Sequence, residues 1–168
     1  PDLTFFDLKG RVMKASMRLD WISPDHDVTL SFSKEGKLQS VNGSSSYIGN
    51  LDSRKNGILF TRDGQDRLIK ACDCHSYCSA EYKWCGEKIV SAKYHSENDQ
   101  IDVDYRYDDE GKLISIKTSE EIPETDEEGS GGTIKETKKI KYTKFDHKGN
   151  WIERKENGKT ISRTIEYY

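Results

Sequence analysis

Cys72, Cys74, Cys78 and Cys85 stand in one short segment, with His75 among them. An even cysteine count packed so closely reads first as two disulfides, and three pairings are open. Nested bridges, Cys72 to Cys85 and Cys74 to Cys78, suit a hairpin whose tip lies near Ser76 and Tyr77. Four thiols plus His75 also exceed the ligand count of a tetrahedral zinc site. The spacing, however, is C-x-C-x3-C-x6-C rather than a pair of C-x2-C knuckles. A thioredoxin-like redox role fits less well, because no C-x-x-C occurs.

Other reactive side chains form no recognisable catalytic set. His26 lies in Asp25-His26-Asp27, where carboxylates could orient an imidazole, yet Ser23-Pro24-Asp25 opens like a turn. His147 sits inside a glycine turn. The nucleophile elbow G-x-S-x-G, the zinc motif H-E-x-x-H and the phosphate-cradling G-x-x-x-x-G-K-[ST] are all missing. Asp102 and Asp104 alternate with Tyr105 and Tyr107 in the opposite parity, which predicts a solvent-facing pair of carboxylates rather than an acid–base pair. These residues point away from catalysis.

Aromatics recur at equivalent places and carry the main candidate for ligand binding. Tyr82, Trp84, Tyr105, Tyr107, Tyr142 and Trp151 could form a stripe across neighbouring strands. Such a ladder stabilises a sheet when it is buried. Left uncovered on a concave face, it is a platform for a glycan or a peptide, because flat rings offer apolar faces and polar edges.

The elements that must position these residues follow from periodicity. Val28, Leu30 and Phe32 alternate, as do Ile101, Val103, Tyr105 and Tyr107, and later Ile140 and Tyr142. Period two is the signal of strands. The strands are punctuated by a recurring unit: an aromatic, an acidic turn ending in glycine, then an aliphatic residue or Trp. Its fullest copy is Tyr105-Arg106-Tyr107-Asp108-Asp109-Glu110-Gly111-Lys112-Leu113. Others run Phe145-Asp146-His147-Lys148-Gly149-Asn150-Trp151 and Phe32-Ser33-Lys34-Glu35-Gly36-Lys37-Leu38. Weaker copies carry Gly10, Gly64 and Gly86 as the turn glycine. A glycine there supplies the positive φ that closes a hairpin. The expectation is an all-β, antiparallel meander of repeated hairpins, forming a twisted, curved open sheet or a partly closed barrel.

At 168 residues the chain makes one domain with a sufficient core. An acidic, Gly-rich stretch over 119–135 predicts a flexible hairpin loop, since it has little to bury. Oxygen ligands abound there, but the spacing of an ordered calcium loop is missing. The net charge is −3 and no Lys/Arg run stands out, which argues against nucleic acid or an anionic membrane as partner. No cofactor and no metal is implied. The start at Pro1 rather than Met is expected of a trimmed form, with any signal peptide or lipid anchor lying outside it.

Tyr105-x-Tyr107-Asp108-x-x-Gly111-Lys112-Leu113 resembles the YD repeat of Rhs-like exported proteins. The Gly149-Asn150-Trp151 variant, with the ending Ile161-Ser162-Arg163-Thr164-Ile165-Glu166-Tyr167-Tyr168, is similar to short secreted or lipoprotein-type proteins of Bacteroidetes. The resemblance implies consecutive hairpins and an extracytoplasmic address: periplasmic, secreted or cell-surface. It carries no catalytic residues. The functional expectation is therefore a non-catalytic binding or scaffold module for a glycan, peptide or surface protein. The alternative is a metal- or thiol-dependent enzyme using the Cys72–Cys85 cluster.

Overall fold

The computed structural model describes residues 2–19, 23–41, 44–45, 58–73, 78–97, 99–122 and 131–168. One short helix, α1 (Asp2–Phe5), precedes a run of strands. These are β1 (Val12–Leu19), β2 (Ser23–Phe32), β3 (Leu38–Val41), β4 (Ser44–Ser45), β5 (Ile58–Arg62), β6 (Leu68–Asp73) and β7 (Cys78–Cys85). They continue as β8 (Lys88–His95), β9 (Gln100–Tyr107), β10 (Leu113–Ile122), β11 (Gly132–Phe145), β12 (Trp151–Glu156), β13 (Lys159–Ser162) and β14 (Thr164–Tyr167). The chain is all-β and antiparallel, as its alternation predicts.

It forms two sheets. The smaller is ordered β14-β1-β2-β3-β4, and the larger is an unbroken meander from β13 back to β5. In neither order do the two end strands meet, so neither sheet closes into a barrel. The last strand leaves the meander and pairs with the first, Ala15 opposite Ile165.

One turn builds four of the hairpins. In each, a residue at the first turn position accepts backbone N–H bonds from further along the turn, and the fourth position takes a positive φ. Asp146 Oδ1 accepts from Lys148 N at 2.9 Å and Asn150 N at 3.0 Å, with Gly149 at φ 78°. Ser33 does the same for Glu35 and Lys37, and Asp108 for Lys112. This is a type I turn closed by a left-handed residue, and the register shifts that follow are its bulges. The Asp63 turn departs from the expected alignment. Its left-handed position is Asp66 at φ 63°, and Gly64 has no positive φ. Asp is among the few non-glycine residues that tolerate this region. The Gly10 copy is not a hairpin, because it lies between α1 and β1.

The core lies between the sheets and around the N-terminal segment. Val28, Leu30 and Phe32 of the small sheet are buried, as are Phe60, Ala71, Ala80, Ala92 and Val103 of the large one. The alanines leave space over the large sheet, and Phe5 and Phe6 occupy it. Phe5 packs edge-on to Tyr82 with ring centres 4.8 Å apart, and Phe6 meets Phe32 at 5.7 Å and Phe60 at 6.0 Å. Asp2 anchors this plug from a buried position. Its carboxylate takes a two-pronged contact from Arg62 at 2.7 and 2.6 Å, and accepts the Leu38 N–H at 2.6 Å. Paired this way, a buried carboxylate is tolerated.

The predicted loop over 119–135 is shorter at both ends than expected. Strand β10 continues to Ile122 and β11 begins at Gly132, with Glu120 opposite Ile134. Cross-strand hydrogen bonding suffices to extend strands that bury little. The rest of that stretch, 123–130, lies outside the described residues.

Candidate binding cleft

Between α1, the end of β1 and the inner face of the large sheet runs a cleft of about 230 Å³. Its floor is a row of tyrosines. Register places Tyr82 opposite Ala92 and Tyr105 opposite Ile116, and the alternation of the strands turns all of them inward. Tyr94 and Tyr105 share a hydroxyl–hydroxyl hydrogen bond of 2.6 Å. The Tyr107 hydroxyl donates to the Ile89 carbonyl at 2.8 Å, and burial pushes its phenol well above the ordinary range.

The far wall is built on Trp151. The Arg154 and Arg163 guanidinium carbons lie 4.3 and 3.9 Å from its ring centre. Its indole N–H donates to Asp7 Oδ2 at 2.9 Å. Arg163 sits where the chain passes from β13 to β14, only 4% exposed. Its fork donates to three carbonyls: Trp151 at 2.7 Å, Phe6 at 3.1 Å and Asp7 at 2.8 Å. Burial pushes its guanidinium down to about 10. Arg154 donates through Nε and Nη2 to Oε1 of the buried Glu156 at 2.9 and 2.5 Å, and Lys138 approaches the other carboxylate oxygen at 3.7 Å. Tyr142 packs behind Trp151, ring centres 6.3 Å apart, and burial raises its phenol.

Of the six aromatics singled out from the sequence, Tyr82, Tyr105, Tyr107 and Trp151 line the cleft. Tyr142 backs its wall. Trp84 is placed elsewhere: its N–H donates to the Leu68 carbonyl at 2.9 Å, and Arg67 lies 5.8 Å from its ring centre. Sequence reasoning missed Asp7, Arg154, Glu156 and Arg163. Arg154 and Glu156 gave one signal, charge at inward parity opposite Tyr142 and Ile140, and Asp7 and Arg163 gave none.

The cysteine segment takes a different geometry from the nested pairing. Residue 73 pairs with Cys78, and Cys72 with Ser79; the expected tip at Ser76 and Tyr77 lies outside the described residues. Cys85 then lies six positions further along β7 from the partner of Cys72, about 20 Å away. A disulfide spans about 4.4–6.8 Å between Cα atoms, so Cys72 and Cys85 cannot be bridged. No disulfide joins the described cysteines, and Cys74 and His75 lie outside the described residues. Among the described residues, no three of His, Cys, Asp and Glu come together at metal-binding distance.

A search of protein-family models and of curated proteins finds no match to this chain.

Proposed function

We propose that this chain is a non-catalytic, exported binding module whose ligand, a short glycan or peptide segment, enters the cleft beneath α1. The observation that carries this reading is the lining itself. Apolar and aromatic groups (Phe5, Leu19, Ile89, Ile161) give most of the wall, and polar groups converge on it, Tyr105, Asp7 and Arg154 from within and Arg18, Glu87 and Lys88 along its length. That mixture is the usual make-up of a small-ligand site. The polar members are held by one another, Arg154 by Glu156 and Trp151 by Asp7. They are therefore set before a ligand arrives, which lowers the ordering cost of binding. The extracytoplasmic part of the reading is supported by the YD-like turns and the even cysteine count.

A saturation-transfer NMR screen of glycan and peptide mixtures tests it, with Thr4→Trp as the partner variant. Thr4 is exposed on α1 and lines the cleft, so a Trp there plugs the space from a surface position. Ligands that bind the native protein and not this variant, at equal melting temperature, support the cleft. A ligand indifferent to the plug sinks it.

A further inference from the structure

The outward face of the large sheet changes character along its length. On β6 to β9 it alternates in sign: Lys70 meets Glu81 at 2.8 Å and Lys93 meets Asp102 at 3.8 Å, each pair directly cross-strand. On β9 to β12 it turns basic. Arg106 lies opposite Ser115 and Ser115 opposite Lys139. Lys141 stands two positions beyond Lys139 on the same face and lies directly opposite Lys155. Lys117, on that face too, is opposite Thr137 on one side and Asp104 on the other.

All five cations are exposed, and among the described residues none of them forms an ion pair. Of the neighbouring acids, Asp104 faces Lys117 alone, and Glu153 is held by Lys144 at 2.8 Å and Thr143 at 2.8 Å. The register sets Lys117, Lys139 and Lys155 on a diagonal. Strand spacing of about 5 Å and a two-residue step of about 7 Å put successive members about 8 Å apart. A like-charge pair directly across two strands, Lys141 and Lys155, opposes folding. It stands in a chain whose net charge is −3, so the strip does not follow from a general excess of base.

We propose that this diagonal strip docks a linear acidic polysaccharide, carboxylated or sulfated. A diagonal row of cations spaced at regular steps across three strands matches a chain carrying anions at intervals. Between the cations the outward positions are Ser115 and Thr137, with Thr160 flanking Lys155 on β13, hydroxyls suited to sugar hydroxyls. None is aromatic, so nucleic-acid bases have nothing to stack on. None is apolar, so no side chain enters a bilayer. The strip is on the opposite face of the sheet from the cleft and is independent of it.

The test is retention of the folded protein on immobilised heparin and on polygalacturonate, eluted with a NaCl gradient. The variants are Lys139→Glu/Lys141→Glu and, as control, Lys14→Glu/Lys83→Glu, which makes the same change of charge elsewhere. The native protein and the control elute at similar salt, and the strip variant elutes in the wash. Its melting temperature does not fall, because Lys141→Glu replaces repulsion from Lys155 by attraction. Equal loss of retention in both variants means net charge alone is read, and overturns the proposal. So does no retention of the native protein near physiological ionic strength. Strip-dependent binding to phosphatidylglycerol vesicles or duplex DNA, with none to either polysaccharide, overturns the assigned class. The Thr4→Trp variant retains native elution, which separates this result from the cleft.

Discussion

Asn150 acts as a strand partner for Lys9, 141 residues away: its Oδ1 accepts the Lys9 N–H at 2.7 Å, and its Nδ2 donates to the Lys9 carbonyl at 2.8 Å. The same Nδ2 donates to the Tyr167 hydroxyl at 2.6 Å, and that hydroxyl donates to Asp146. One buried amide thus ties the segment leading into the first strand to the last strand and to the turn before β12. Asn150→Ala removes all three contacts and is expected to cost about 2–3 kcal/mol. Urea unfolding checks this: the midpoint moves down while the slope stays the same. An unchanged midpoint refutes the clamp.

Arg163 reaches three carbonyls with one planar fork, which an ammonium cannot imitate. Arg163→Lys keeps the charge but leaves at least one buried carbonyl without its donor. The expected loss is about 2–4 kcal/mol, read by thermal melting. Near-native stability of the lysine variant would show that the charge, not the fork, is what the site requires.

Two glycines separate conformational need from space. Neither Gly149 nor Gly64 has an atom within 4 Å of an added Cβ, yet only Gly149, at φ 78°, is left-handed. Gly149→Ala is expected to lose about 1–2 kcal/mol through backbone strain. Gly64→Ala is expected to be neutral or to gain about 0.5 kcal/mol through the unfolded chain. Chemical denaturation of both checks the turn alignment, and a reversed order contradicts it.

Stability should fall in alkali. Burial, with the Asp146 carboxylate, raises the Tyr167 phenol to about 12 from an ordinary 10, and burial also raises Tyr107 and Tyr142. An acid held protonated in the fold contributes stability that is fully present below pH 10. That contribution is lost as pH rises through the folded value. Tyr167→Phe is less stable at neutral pH but shows a shallower decline between pH 10 and 12. Melting temperature against pH for both proteins is the measurement, and parallel curves exclude Tyr167 as a source.

The β6–β7 register forbids a bridge between Cys72 and Cys85. Peptide mapping of oxidised protein without reduction should contain no Cys72–Cys85 cross-link. Cys85→Ser should leave the melting temperature unchanged, because Cys85 is exposed. Recovery of that cross-link from folded protein refutes the register.

Much of the architecture was legible because strands and turns write local patterns. Val28, Leu30 and Phe32 alternate and are all buried; Asp108 with Gly111 and Asp146 with Gly149 close hairpins. Where the pattern misled, a local rule had two solutions. Asp63-Gly64 reads as a turn glycine, yet the left-handed position falls on Asp66, which can also adopt it. The N-terminal plug left no trace, since the four residues of α1 are too few for helical periodicity. The cleft was half visible: its tyrosines recur with the repeat, while Asp7 and Arg163 belong to no pattern.

Sequence alone determined the all-β class, the run of glycine-closed hairpins and the parity of its clearest strands, such as Val28–Phe32 and Ile101–Tyr107, because φ/ψ preferences and alternation act over a few residues. Only the tertiary structure decided that the strands divide into two sheets, that β14 returns to β1, and that Phe5 and Phe6 fill the space over the alanines. It also gathered Arg106, Lys117, Lys139, Lys141 and Lys155 onto one face of a chain with net negative charge. Cross-strand register brings residues far apart in the chain to within about 5–8 Å, and no local pattern encodes that.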